Sequence, residues 1–154
     1  MMFIQNVIRT LEKNRIKYAL VGGYAVALHG VIRGTVDVDI VIALTKASLA
    51  GAERALGNIG LRSHLPVTAD DVYRFRKEYI ENRNLAAWSF INSDNPLEVV
   101  DILITEDVKN LKTVTRQAFG MKIKVAAIPD LIALKKKSAR PQDIEDIRAL
   151  EKLL

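Results

Sequence analysis

The sequence predicts an α+β protein, in which one mixed β-sheet is covered by helices and residues 1–154 form a single domain. Segments with helical apolar spacing alternate along the chain with short β-branched runs that are typical of strands. Two pairs of these runs are joined by short turns, which excludes a purely parallel sheet. No repeat, low-complexity tract or long linker divides the chain.

Each element of the first half follows from its local pattern. Residues 3–13 place apolar side chains on one helical stripe, and the apolar run 16–21 reads as a buried strand that ends at two glycines. A short helix over 24–28 follows. The strongest strand pattern is 36–43, where only Asp37 and Asp39 interrupt apolar residues, and a helix over 45–56 comes next.

The second half repeats this alternation. Thr68 and Asp71 form a box-like pair that can cap a helix, and strands over 85–91 and 97–104 flank a polar turn. Strands over 113–118 and 121–126 form a second hairpin around Gly120. Pro129 occupies a favoured first-turn position of a helix, and a last helix runs from residue 141 to the end.

Composition narrows the class of protein. The chain has no cysteine, which excludes disulfides and thiolate metal sites, and it lacks a signal-peptide pattern. No apolar run approaches the ~20 residues of a membrane span. We therefore expect a cytoplasmic protein with no membrane partner. The net charge of +5 favours polyanionic ligands such as nucleotides or RNA.

Three acidic residues interrupt apolar strands. Asp37 and Asp39 are two positions apart, so they point to the same face about 6.5 Å apart, and a divalent cation such as magnesium would neutralise them. If their strand were at an edge, both would simply face water. Asp101 interrupts a second strand and could complete a cluster that holds two metals about 4 Å apart, or could be a buried acid paired with an arginine.

Gly22 and Gly23 lie between a predicted strand and a predicted helix. Glycines allow a ligand to approach the backbone closely, and the N–H groups at a helix start favour phosphate. The same pair is also common in tight turns. Gly22-Gly23, thirteen residues, and Asp37-Val38-Asp39 together resemble the signature of the nucleotidyltransferase superfamily, the polymerase-beta-like fold.

Two further stretches extend this resemblance. Residues 33–39, Arg-Gly-Thr-Val-Asp-Val-Asp, are similar to small bacterial nucleotidyltransferases of the abortive-infection type, which include toxins and antitoxins. Residues 128–135, followed by Arg140, Asp143 and Asp146, resemble that group's basic-then-acidic helical motif. Many members carry serine at the position of Gly23, so this chain lacks one hydroxyl in the phosphate loop and keeps the backbone donors.

The resemblance implies a nucleotidyltransferase fold with C-terminal helices and transfer of a nucleoside monophosphate from an NTP to an acceptor. Asp37 and Asp39 would bind Mg²⁺, two ions in all, and Asp101 would bind one of them and accept the acceptor's proton. The acceptor would be RNA such as tRNA, a protein or a small molecule, in a toxin–antitoxin or phage-defence system. The residues implied in nucleotide binding are Gly22, Gly23, Arg33, Thr35 and Lys135.

Several of these residues have a structural interpretation as well. Arg33 would neutralise triphosphate charge or pair with an aspartate. Arg140, Asp143 and Asp146 share one helix face and form either a supporting part of the site or a structural ion-pair network. Basic residues at 74–83, interleaved with aromatics, could touch an RNA acceptor, but Val72, Phe75 and Tyr79 fit a core stripe and the basic residues fit an ordinary exposed face, which is the interpretation that we favour. The alternative function is a non-catalytic module that binds a nucleotide or a partner.

Overall fold

The computed structural model describes residues 2–154 and contains helices and strands in alternation. The helices are α1 (Phe3–Lys13), α2 (Gly22–Leu28), α3 (Lys46–Gly57), α4 (Ala69–Arg83), α5 (Ile128–Ser138) and α6 (Pro141–Glu151), with a short 3-10 helix at Val108–Asn110. The strands are β1 (Tyr18–Val21), β2 (Val38–Ile42), β3 (Leu61–Ser63), β4 (Ala87–Asn92), β5 (Asn95–Leu103), β6 (Thr113–Ala118) and β7 (Met121–Ala126).

All seven strands form one mixed sheet in the order β3-β4-β5-β2-β1-β7-β6. The pairs β2–β5 and β1–β7 are parallel, and the others are antiparallel. The predicted fold class is therefore confirmed, including both hairpins. Strand β2 lies in the middle of the sheet, so the alternative in which its aspartates lie on an edge strand is wrong.

Two predicted strands are shorter than the apolar runs that suggested them. Arg15 adopts a positive φ of 57° after α1, and the Ile16 N–H donates to the Leu11 carbonyl at 2.9 Å, so Ile16 completes the helix end and not the sheet ladder. Strand β2 begins at Val38, which pairs with Val100 of β5, and its pairing with β1 ends at Asp39 opposite Val21. Asp37 therefore precedes the strand. Strand β3 was not predicted.

Local signals placed other boundaries well. The Asp71 N–H donates to Thr68 Oγ1 and the Thr68 N–H donates to Asp71 Oδ2, at 3.2 and 2.9 Å, which is the predicted capping box of α4. The core contains Trp88, whose indole N–H donates to Ser63 Oγ at 2.9 Å. The predicted core stripe on α4 is wrong at Phe75, which is 39% exposed and stacks under Arg74.

Among residues 2–154, no helix combines the length and the apolar character that crossing a membrane requires.

Candidate active site

Asp39 and Asp101 lie directly opposite each other on the parallel strands β2 and β5. Neighbouring strands are about 4.8 Å apart, so the register brings the two side chains together on one face of the sheet. On the far side of β5, Ser89 of β4 is paired with Asp101, and Ser89 Oγ donates to Asp101 Oδ1 at 2.5 Å. Asp101 therefore lies beside Asp39, which is the first of the two arrangements that the sequence left open for it.

The environment of Asp39 opposes its ionisation. Burial, followed by the charge of Asp101, a hydrogen bond to Asp101 and the charge of Asp37, raises the pKa of Asp39 to about 7, although Lys135 acts in the opposite direction. Partial desolvation and the charge of Asp101 also raise the pKa of Asp37. The three carboxylates are therefore electrostatically coupled, and burial adds to their mutual repulsion.

The paired glycines touch this cluster and the loop that precedes β2. Gly22 has a φ of 68°, and a Cβ there would collide with the Asp39 carboxylate. A Cβ on Gly23 would collide with the Arg33 guanidinium and would lie 2.6 Å from Thr35 Oγ1. Both positions thus require glycine for space, and Gly22 also requires it for its backbone conformation.

Two adjoining cavities open around Gly22, Asp37 and Asp39. The larger, of about 700 Å³, is lined by charged residues such as Asp101 and Glu106 and by an apolar patch that includes Leu103, Leu131 and Leu134. The smaller, of about 240 Å³, is polar and is lined by Gly23, Arg33, Thr35, Lys135 and Arg140. One cavity is therefore suited to a flat or partly apolar group, and the other to an anionic group.

A buried ion-pair network supports the wall of both cavities. Lys135 is 6% exposed, and its Nζ lies 3.2 Å from Asp143 Oδ1 and 2.9 Å from Asp146 Oδ2. Arg140 Nε contacts Asp143 Oδ2 at 3.1 Å. Burial opposes the charge of Asp143, but hydrogen bonds from Ser138, Arg140 and Lys135 lower its pKa to about 2. These contacts join α5 to α6.

Arg33 connects the same network to the loop before β2. Its Nε donates to Asp146 Oδ1 at 2.9 Å, and its guanidinium also lines the polar cavity. Of the two interpretations of Arg33, the aspartate pair is thus the one with a direct contact. Thr35 Oγ1 donates to the Asp37 carbonyl at 3.5 Å, which keeps the loop folded against the cluster.

The structure adds two residues to those that the sequence indicated. Ser89 holds Asp101, and Ser138 Oγ donates to Asp143 Oδ2 at 2.8 Å. The only sequence signal for Ser89 was a small polar residue between Trp88 and Phe90 in an apolar strand. Its pairing with Asp101 depends on a register shift near Asn92, which sequence spacing does not reveal.

The carboxylates supply the hard oxygen donors that magnesium prefers. Within residues 2–154, no three acidic or histidine side chains are already arranged around one point as a metal site. However, burial and then the neighbouring charges of Asp101 and Asp37 raise the pKa of Asp39, and a divalent cation bound to the carboxylates would favour their ionised forms. The donor set fits Mg²⁺, and Asp37 is the third carboxylate that could join it.

The sheet order, the parallel pairing of β2 with β5 and the glycine pair after β1 define the nucleotidyltransferase fold, and solved structures with this fold match the chain. One is the antibiotic-resistance factor ANT(2'')-Ia, with a TM-score of 0.65 and 12% identity, covering 96% of this chain and 80% of that one. A crystal structure of the same factor holds adenylyl-2''-tobramycin.

Two further matches agree. The lincosamide antibiotic adenylyltransferase LnuA, in a lincomycin-bound structure, has a TM-score of 0.66 and 13% identity, covering 99% of this chain and 96% of that one. An antigenic nucleotidyltransferase-like protein from Paracoccidioides brasiliensis has a TM-score of 0.60 and 17% identity, covering 98% and 75%. No protein-family model and no curated protein sequence matches the chain.

Proposed function

We propose that this protein is a magnesium-dependent nucleotidyltransferase that transfers a nucleoside monophosphate from an NTP to an acceptor. The observation that carries the proposal is the contact between Asp39 and Asp101 beside Gly22, where the two cavities adjoin. The solved nucleotidyltransferases with the same fold support it.

The polar cavity is the site proposed for the triphosphate. Arg33 and Arg140 supply positive charge there, and Gly22 and Gly23 also line the cavity. Lys135 forms ion pairs with Asp143 and Asp146 and also lines this cavity, so its positive charge acts on a phosphate bound there. The nucleoside occupies the larger cavity, against Leu131 and Leu134.

The reaction is a substitution at the α-phosphorus. An acceptor oxygen forms a bond to that phosphorus while the bond to the oxygen bridging the α- and β-phosphates breaks, and pyrophosphate leaves with the bonding electrons. Asp101, oriented by Ser89, accepts the proton of the attacking hydroxyl. Asp37, Asp39 and Asp101 would hold Mg²⁺, two ions in the full complex, and the bound metal would stabilise the negative charge of the attacking and leaving oxygens.

The acceptor that we propose is RNA such as tRNA, with a protein or a small molecule as the alternatives. An enzyme that blocks cellular RNA would act in the cytoplasm as the toxin of a toxin–antitoxin or phage-defence pair, with a partner that restrains it. The stretch 33–39 supports this role through its resemblance to abortive-infection nucleotidyltransferases.

The activity can be tested with purified protein, Mg²⁺ and each of four α-labelled NTPs, incubated with total RNA or with protein extract. Wild type and the exposed-turn control Asp94→Asn should label an acceptor. Asp39→Asn and Asp101→Asn should lower labelling by at least 100-fold, because each removes a carboxylate from the cluster. Equal labelling by all four proteins would contradict the proposal.

Calorimetry with NTP and Mg²⁺ separates the enzyme from the alternative function. Binding that is lost in the Asp39→Asn variant, without transfer to any acceptor fraction, would instead assign the chain as a nucleotide-binding module. Growth on induction of wild type beside the Asp39→Asn/Asp101→Asn double variant tests the toxin role, since only an active toxin slows growth through this site.

A further inference from the structure

The net positive charge of this protein comes from one segment. Five of the 23 basic residues lie between Asp107 and Asp130, where no acidic residue occurs, and the remaining eighteen equal the 18 acidic residues of the chain. Helix α4, by contrast, carries four basic and four acidic residues. The basic residues are therefore concentrated in one segment, which includes β6 and β7, and are not spread evenly over the chain.

Strands β6 and β7 display two of these five residues, Lys122 and Lys124, on an exposed face at the end of the sheet. Strand β6 is the last strand, and the register pairs Thr115 with Lys124 and Gln117 with Lys122. Because side chains alternate along a strand, one face collects a set of exposed polar and basic residues, which we name the basic ribbon. It consists of Thr113, Thr115, Gln117, Lys122 and Lys124.

The opposite face of β7 belongs to the core. Ile123 and Val125 are fully buried there, which fixes the register and forces Lys122 and Lys124 outward. Within residues 2–154, neither lysine nor the adjacent Lys112 makes a salt bridge. Lys124 Nζ donates only to Thr115 Oγ1, at 2.9 Å. The ribbon therefore carries positive charge that the protein does not neutralise.

The chemistry of the ribbon favours nucleic acid over other anionic partners. It has no aromatic or large apolar side chain, whereas the cores of protein interfaces are rich in aromatics and poor in lysine. Phe119 and Met121, at the hairpin turn, pack against the core and are not presented for insertion into a membrane. Interfaces with nucleic acid are polar and strongly positive.

The ribbon also starts at the edge of the sheet where the candidate active site lies. Strands β1 and β7 are parallel, so the end of β7 at Ala126 lies on the same edge as Gly22, and Thr113 pairs with Ala126. Strand β6 is four strands from β5, which carries Asp101, so they are about 19 Å apart at the usual strand spacing. A chain molecule that lies along the ribbon can therefore present its end to Asp101.

We propose that the basic ribbon, together with Lys112, binds the phosphate backbone of the RNA acceptor and positions its end at the active site. Lysines two positions apart on a strand are about 6.5 Å apart, so a linear polyanion can contact several of them at once, which a single phosphate cannot. The inference rests on the proposed function only in taking RNA as the acceptor, since RNA binding by the ribbon can be measured without catalysis.

The test measures binding of a fluorescein-labelled single-stranded RNA by anisotropy between about 50 and 200 mM salt. The ribbon variant is Lys112→Gln/Lys122→Gln/Lys124→Gln, and the matched control, Arg9→Gln/Lys13→Gln/Lys152→Gln, loses the same charge from exposed positions elsewhere. The ribbon variant should bind at least tenfold more weakly. Its plot of log affinity against log salt should be shallower by about 2, because three phosphate contacts at roughly 0.7 each are lost.

The control should bind RNA as wild type does, and circular dichroism should show both variants folded. Equal weakening in the two variants, or no RNA binding by wild type, would overturn the proposal. Displacement of the RNA by polyglutamate of equal charge would also overturn it, as would ribbon-dependent binding to anionic lipid vesicles without RNA binding. Asp39→Asn/Asp101→Asn should retain RNA binding, so ribbon-dependent RNA binding without transfer by wild type would reject the proposed function alone.

Discussion

Arg33 and Asp146 are 113 positions apart in the chain, yet Arg33 Nε donates to Asp146 Oδ1 at 2.9 Å. This ion pair joins the loop before β2 to α6, and Lys135 of α5 contacts the same aspartate. The three segments that surround the polar cavity are therefore held by buried charges, which are costly to separate.

Lys135→Met should lower the free energy of unfolding by about 3–5 kcal/mol, because it leaves the buried carboxylates of Asp143 and Asp146 without their shared cation. Lys136→Met, at the next and exposed position, should change it by less than about 0.5 kcal/mol. Urea denaturation at pH 7 measures both. A Lys135→Met variant as stable as its neighbour would show that the network contributes nothing to stability.

Asp39→Asn should be more stable than wild type at pH 8 and equally stable at pH 4. The folded-state pKa of Asp39, about 7, lies above the unfolded value near 3.8, so the folded protein keeps a proton that the unfolded chain releases. Stability from this group is complete below pH 3.8 and is lost as the pH rises through 7. Asparagine stays neutral and avoids that loss.

Thermal melts at pH 4, 6 and 8 check this prediction, with a difference on the order of a few kcal/mol at pH 8. Asp94→Asn removes a carboxylate from an exposed turn and serves as the control, which should follow wild type at each pH. A constant offset between Asp39→Asn and wild type across the range would mean that Asp39 ionises normally in the folded protein.

Mg²⁺ should raise the melting temperature of wild type at pH 8, since an ion that binds only the folded cluster stabilises it. For a chain of this size, each kcal/mol of binding free energy corresponds to about 2–4 °C. Asp39→Asn/Asp101→Asn should show no such rise, and Asp94→Asn should show the full rise. Equal shifts in all three proteins would place magnesium binding outside the cluster.

Gly23→Ser should weaken NTP binding at least tenfold, although serine is common at this position in the superfamily that the chain resembles. The new Cβ would collide with the Arg33 guanidinium and approach Thr35 Oγ1 to 2.6 Å, so the loop that lines the polar cavity must move. Gly34→Ser is the matched control, because a Cβ on Gly34 meets no atom within 4 Å.

Titration calorimetry with NTP and Mg²⁺ gives both affinities. If Gly23→Ser and Gly34→Ser bind NTP equally well, the loop does not depend on the space at Gly23. If Gly23→Ser binds NTP more weakly, a Gly23→Ser/Thr35→Ala double variant reports whether the threonine is the limiting contact, and we expect it to recover part of the lost affinity.

The sequence by itself determined the element types, most boundaries and the identity of the candidate residues. These depend on local forces: the 3.6-residue stripe of α1, the capping box at Thr68, and the turn at Gly120 that ends β6 and begins β7. The carboxylates of β2 and β5 were visible because a charge is costly in an apolar strand unless something neutralises it.

Tertiary structure alone decided which strands are neighbours and therefore which side chains meet. The β2–β5 pairing that brings Asp39 to Asp101, and the register that brings Ser89 to Asp101, join segments whose separate patterns contain no record of their partners. It also decided that Lys135 lies between two aspartates and that Gly23 makes room for Arg33. Such contacts arise from packing between distant parts of the chain, and local propensity does not encode them.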